Sequence, residues 1–289
     1  MKTISEKIRT QLNLITKQLS EIIQELPIKT LNKQRHGGFI FAPNYYFDEP
    51  TPAQRNIQLN LKNQYDKIFE LLRLIFKNAP TDIIYKLDEV DKLYRMWLQL
   101  ESNWAIKPNP EHNVHELLDH AAKFNPILEI LDAGKNKNPI IIPDTNSLLL
   151  SCNPLVYKKS LNINSFTILL LPTVLNELDK LKILHRNQDV REKAQKIINR
   201  IKGWRTQGSL IDGITVEKSI IIQTIPTEPN MINTLSWLDK DVNDDRIIAS
   251  VMEIQSKYPA TTVILYTSDI NLQNKAEAAI IEYRELQKT

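Results

Sequence analysis

Ile140-Ile141-Ile142-Pro143-Asp144-Thr145-Asn146 drives an apolar strand straight into a carboxylate. A lone buried carboxylate costs several kcal/mol, roughly, unless it is paired or bound to a cation. Three more stretches repeat the pattern: Leu171-Pro172-Thr173-Val174-Leu175-Asn176-Glu177-Leu178, Asn243-Asp244-Asp245-Arg246-Ile247-Ile248 and Leu265-Tyr266-Thr267-Ser268-Asp269. In each, an acid stands at the end of an apolar strand or on the apolar stripe of a helix. Convergence of these acids on one place would make a cation site.

The surrounding pattern gives the fold class. Strand-like runs at 140–142, 166–171, 219–225 and 262–267 alternate with helical stretches near 172–186, 189–206, 243–258 and 270–279. Such alternation predicts an α/β unit with a mostly parallel sheet and helices on its faces. Gly208–Ile225 reads as a local hairpin inside it. Ligands of open α/β sheets sit at the carboxyl ends of the strands, where Asp144 and Asp269 belong. Upstream, Ile4, Ile8, Leu12, Ile15, Leu19, Ile22 and Ile23 recur at helical spacing. Helical patterns near 53–78, 82–104 and 111–132 follow, which makes residues 1–132 an expected all-helical domain. Residues 27–52, with Gly37-Gly38 and the aromatics Phe39, Phe41, Tyr45, Tyr46 and Phe47, read as a long self-packed loop or a hinge. The polar stretch Asp132-Ala133-Gly134-Lys135-Asn136-Lys137-Asn138-Pro139 is the boundary. Residues 138–289 form the second domain.

Each acid also has a plain structural reading. Asp144 and Asp269 could be helix N-caps, a common use of aspartate. Glu177 lies three residues after Val174 and four before Leu181, hence on the inward face, or on a flank paired with Lys180 or Lys182. Asp244 precedes Ile247, Ile248 and Val251 at three, four and seven, so it is expected to head the buried stripe. Asp245 lies one step around, and Asp241 one turn earlier. Four caps falling at one sheet edge is the less economical account. Clustered carboxylates raise each other's pKa unless cations neutralise them. An oxygen-rich set suits Mg²⁺ or Mn²⁺. Two such ions roughly 3.5–4 Å apart can activate a water and stabilise a leaving oxygen in phosphodiester hydrolysis.

At these residues the chain resembles the PIN-domain nucleases. Asp144-Thr145-Asn146-Ser147-Leu148-Leu149 is similar to the family's opening motif. Val174–Leu181 is similar to the second, Asn243–Ile248 to the third and Thr267–Ala276 to the fourth. The wording is closest to the PIN domains fused to PhoH-type ATPases and to the endonuclease domains of nonsense-mediated-decay factors. The resemblance covers roughly 138–285. It implies a Rossmann-like fold with a central parallel sheet and metal-dependent cleavage of single-stranded RNA. Asp144, Glu177, Asp244 and Asp269 would then hold the metals. The third motif leaves Asp244 or Asp245 as its main ligand, and the apolar stripe favours Asp244. By analogy Thr145 or Asn146 steadies Asp144, and Ser268 contacts water or phosphate. Between Lys180 and Arg205 nine basic residues face two acids. Among them Lys180, Lys182, Arg186, Arg191, Lys193 and Lys196 could carry backbone phosphates, or form a solvated face.

Bulk numbers agree without deciding. The net charge is +3, and its excess lies wholly in residues 134–289, with 20 basic and 17 acidic residues against 17 and 17 before them. No apolar run approaches the roughly eighteen residues of a membrane span, and the first residues lack a signal-peptide core. Cys152 is the single cysteine. That excludes an intrachain disulfide and cysteine-rich zinc sites, and suggests a reducing, cytoplasmic setting. His115 and His120 are five apart, a helical turn of about 500°, so they do not share a face for zinc. Gly37-Gly38 lacks the lysine of a phosphate loop. Trp97 and Trp104, seven apart, read as core. Two other functions are open at this level: a single-strand or flap DNA nuclease, and a non-catalytic PIN scaffold that binds nucleic acid or protein. The N-terminal helices are open to three roles: forming a homo-oligomer, selecting substrate, or restraining a nuclease of toxin or defence type.

Overall fold

The computed structural model describes residues 2–30, 45–101, 105–132 and 138–287. Gly37, Gly38, Phe39, Phe41, Trp104 and the boundary residues Ala133–Lys137 lie outside them. The chain divides into two compact units, Ser5–Ala133 and Gly134–Thr289, the first four residues grouping with the latter.

Five helices make up the first unit: α1 (Ile4–Glu25), α2 (Pro52–Ile75), α3 (Thr81–Gln99), α4 (Pro110–Ala122) and α5 (Asn125–Asp132). In α1, Ile8, Leu12, Ile15, Leu19, Ile22 and Ile23 are buried, the stripe set by their spacing. Thr51 and Gln54 close a capping box at the start of α2. Tyr65 stacks on Tyr94 with ring centroids 4.8 Å apart, and Phe124 meets Tyr94 edge-on at 5.8 Å. Trp97 Nε1 donates to His120 Nδ1 at 2.8 Å. His120 is thus an acceptor for the core. His112 and His115 face Glu116 and Asp119 one turn on. Two expectations are corrected. The helix expected over 111–132 breaks after Ala122, because Pro126 has no N–H to continue it and fits only an opening turn. Within 27–52, β1 (Ile28–Thr30) pairs antiparallel with β2 (Tyr45–Phe47), so these aromatics stand on a strand, not in a loop. Phe47 is buried, its ring 6.4 Å from Trp97.

The second unit is α/β. Its strands are β3 (Ile140–Pro143), β4 (Phe166–Leu170), β5 (Ile214–Val216), β6 (Ile220–Thr224), β7 (Val263–Tyr266) and β8 (Glu282–Arg284). They form one sheet in the order β5-β6-β4-β3-β7-β8. All neighbours are parallel except β5 and β6, the expected hairpin, which turns at Glu217 and Lys218 with φ of 48° and 68°. Every residue of β3 and β7 is buried, as central parallel strands require. The helices are α6 (Thr145–Leu150), α7 (Pro154–Leu161), α8 (Pro172–Leu184), α9 (Gln188–Arg205), α10 (Asn243–Lys257) and α11 (Ile270–Ala278). Pro172 at the first position of α8 and Pro154 at that of α7 supply a preset φ for helix entry. From β3 the chain moves to β4 on one side and later returns to β7 on the other. The sheet therefore reverses direction at β3, and a crevice belongs at its carboxyl end.

No helix among the described residues is long and apolar enough to cross a membrane. Ile141 is fully buried at the sheet centre. Ile141→Ala is expected to cost about 2–5 kcal/mol in urea unfolding. A cost below about 0.5 kcal/mol, less than that of a trimmed methyl group, would contradict a central β3.

Candidate active site

Register places the first and fourth motifs together. Pro143 pairs with Tyr266, so Asp144 and Thr267 leave adjacent parallel strands side by side. The Asp144 N–H donates to the Tyr266 carbonyl at 2.9 Å. Asp144 is 3% exposed and caps α6, its Oδ1 accepting from Ser147 N at 2.6 Å. The Ser147 hydroxyl donates to the Tyr266 carbonyl at 2.9 Å, which locks that cap to β7. Burial raises the Asp144 pKa above its ordinary value. Hydrogen bonds to Thr267 and Ser147 oppose the rise, and the nearby Glu177 adds to it. Among the described residues no lysine or arginine forms an ion pair with Asp144.

Glu177 stands half-buried on α8, behind β4. Its Oε2 accepts from the Thr145 hydroxyl at 2.6 Å. Thr145 therefore steadies the second motif's acid instead of Asp144, and it ties the first motif to the second. Asn146 and Ser268 are exposed, and among the described residues neither hydrogen-bonds a site carboxylate.

Asp269 caps α11, accepting from Asn271 N at 2.7 Å and Leu272 N at 3.3 Å. The Thr267 hydroxyl accepts from Asp269 N at 3.0 Å. At the third motif the expected stripe is corrected. Asp245, 5% exposed, heads the buried face of α10, while Asp244 is only half-buried and Asp241 is exposed. The reason lies in the segment before the helix, which folds back so that Asp239 N donates to Asp245 Oδ2 at 2.9 Å. Lys275 on α11 reaches the same place, with Nζ 2.6 Å from Asp245 Oδ1 and 3.8 Å from Asp244 Oδ2. Burial raises the Asp244 pKa; Lys275 opposes the rise, and Asp269 and Asp245 add to it.

The carboxylates thus gather at one sheet edge as two groups, Asp144 with Glu177 and Asp244, Asp245 with Asp269. Among the described residues no cluster of three or more His, Cys, Asp or Glu side chains is arranged to hold a metal ion. Asp144 and Asp269 each cap a helix, and Asp245 is already paired with Lys275. The donor set nevertheless fits a hard divalent cation. It is all oxygen, and Asp144 is a buried carboxylate without a cationic partner among the described residues.

Two participants were given no role from sequence: Thr267 and Glu228. Thr267 is a fully buried polar residue at a strand end, a position that only a specific hydrogen bond explains. Glu228 accepts from Thr173 Oγ1 at 2.7 Å and Asn176 Nδ2 at 3.3 Å, and lies 3.9 Å from Arg246 Nε. It links α8 to α10 from an irregular segment with no periodicity to reveal it. Cys152 takes no part, for burial pushes its thiol up to about 11.

A sequence model of a PIN domain matches residues 141–287. The chain belongs to the PIN-domain family. No curated protein matches the chain. PIN domains are generally nucleases and typically use divalent metals, which accords with an oxygen-only edge at the sheet's reversal. The family match begins within β3 and ends after β8, so it spans the whole sheet and leaves Ser5–Ala133 outside.

Lys180 on α8, Arg186 in the turn after it, and Lys193 and Lys196 on α9 are exposed, as are Arg200, Lys202 and Arg205 further along α9. Lys182 is taken up by Asp179 one turn back. Arg191 donates to the carbonyls of His185 at 2.7 Å and Arg186 at 3.5 Å, closing the turn between the helices.

The raised Asp144 pKa has a consequence for stability. An acid whose folded pKa exceeds its unfolded value favours the fold below the unfolded pKa and loses that contribution as pH rises through the folded one. Asp144→Asn keeps a capping oxygen and removes the charge. Without divalent ions it should resist urea better than wild type at neutral pH, and the gap should close as pH falls below 3.8. Equal stability across that range would show that burial does not strain the carboxylate.

Proposed function

We propose that the PIN domain is a metal-dependent endoribonuclease that hydrolyses phosphodiester bonds of single-stranded RNA. One observation carries the reading: Asp144 is buried beside Glu177 at the reversal point of a PIN sheet, with no cationic partner among the described residues. Nothing in the packing requires a charge there, and a cap could be made by serine or asparagine without the penalty. A carboxylate kept at that cost is accounted for by a cation that it binds.

The chain's own residues then have definite tasks. Asp144 and Glu177 would hold Mg²⁺ or Mn²⁺, with Asp244 and Asp269 at the same carboxyl edge of the sheet. Such an ion supplies acidified water and offsets charge on the phosphate. Thr145 fixes the Glu177 carboxylate through its 2.6 Å hydrogen bond. Thr267 links the Asp144 carboxylate to the Asp269 backbone. Glu228 holds the side of α8 next to Glu177 against Arg246 of α10. The exposed Lys180, Arg186, Lys193 and Lys196 are placed to take backbone phosphates.

Purified full-length protein should cleave a single-stranded RNA oligonucleotide with Mn²⁺ or Mg²⁺ and not with chelator, and Asp144→Asn should not cleave. Undiminished metal-dependent cleavage by that variant would refute the assignment. An equimolar mixture of RNA and DNA oligonucleotides tests the substrate class, RNA being the strand consumed first. Charge reversal at Lys193 and Lys196 should weaken RNA binding. It should also flatten the salt dependence of log K by roughly 0.7 for each phosphate no longer neutralised. An unchanged salt slope would place the RNA elsewhere.

A further inference from the structure

The two carboxylate groups differ in how their charge is met. Asp144 and Glu177 receive hydrogen bonds from a backbone N–H and hydroxyls, and no ion pair among the described residues. The third motif already holds a cation. Lys275 Nζ lies 2.6 Å from Asp245 Oδ1 and 3.8 Å from Asp244 Oδ2, and the Asp245 side chain is 7% exposed. The other Asp245 oxygen is taken by the Asp239 N–H. One oxygen of the buried acid is therefore hydrogen-bonded, and the other, which has no hydrogen bond among the described residues, is met by the Lys275 charge before any ion arrives. Lys275 stands on α11, which is anchored at its start by the Asp269 cap and packs on α10.

A divalent ion entering this half would have to displace an ammonium from a buried carboxylate and leave that ammonium beside itself. Removing one partner of a buried ion pair is strongly unfavourable, and like charges at this separation repel. The first half has no such obstacle. We infer that the edge binds one divalent ion per chain, at Asp144 and Glu177, and that the Lys275 ammonium stands as the built-in second cation at Asp244 and Asp245. Lys275 is a charge-balancing residue: it keeps the third-motif acids from repelling an incoming phosphate without using a second metal. The inference rests on the metal-dependent reading above and specifies its stoichiometry.

Counting bound Mn²⁺ tests it, by calorimetric titration of metal-free full-length protein together with the paramagnetic resonance of free Mn²⁺. Wild type should bind one ion, and Asp144→Asn should lose it. Lys275→Gln, which removes the charge, should bind two, and Lys275→Arg should restore one. Two ions on wild type, or one on folded Lys275→Gln, would overturn the inference and leave metal dependence standing. No ion on wild type would overturn both. Circular dichroism reports whether Lys275→Gln folds; if it does not, wild type and Lys275→Arg decide, one ion each supporting the inference and two refuting it. A merely structural lysine would change stability and leave the count alone.

Discussion

Asp144 is 3% exposed, capped by its own helix and bonded through its N–H to the neighbouring strand, yet no lysine or arginine among the described residues meets its charge. Much of the edge is arranged around that carboxylate. The parallel pairing of β3 with β7 sets Thr267 beside it. The parallel pairing of β3 with β4 brings α8, and so Glu177, to the same edge, where Thr145 bonds to it. The central strands β3 and β7 are fully buried, and the polar work is done in the first residues after each of them. The cost of burying that charge thus falls at the carboxyl edge of the sheet.

Much of this was legible in the sequence because burial leaves a period. The runs 140–142, 166–171 and 262–267 lie in or overlap β3, β4 and β7, and the helical stripes gave α8 to α11 within a few residues. The plain reading of Asp144 and Asp269 as N-caps also holds, and it does not compete with the functional one. A cap points a carboxylate along a helix start, which in this topology is the carboxyl edge of the sheet.

What stayed hidden was set by contacts between segments with no period. The stripe from Ile247 back to Asp244 was a sound helical argument, yet Asp245 is the buried acid because Asp239 folds over it and Lys275 arrives from another helix. Glu228 lies in irregular chain, and its partners Thr173, Asn176 and Arg246 come from two helices. Apolar spacing runs on past Pro126, yet the donor missing from its backbone ends the helix before it. Nor does any period in the sequence show that the Lys275 ammonium meets the charge of Asp245 and Asp244.

The central claim is that Asp144 is buried for a cation's sake. Anomalous diffraction from Mn²⁺-soaked crystals locates such an ion directly. The account predicts a manganese peak against the Asp144 and Glu177 carboxylates. Asp144 without a peak, and paired instead with a lysine or arginine side chain, would contradict it.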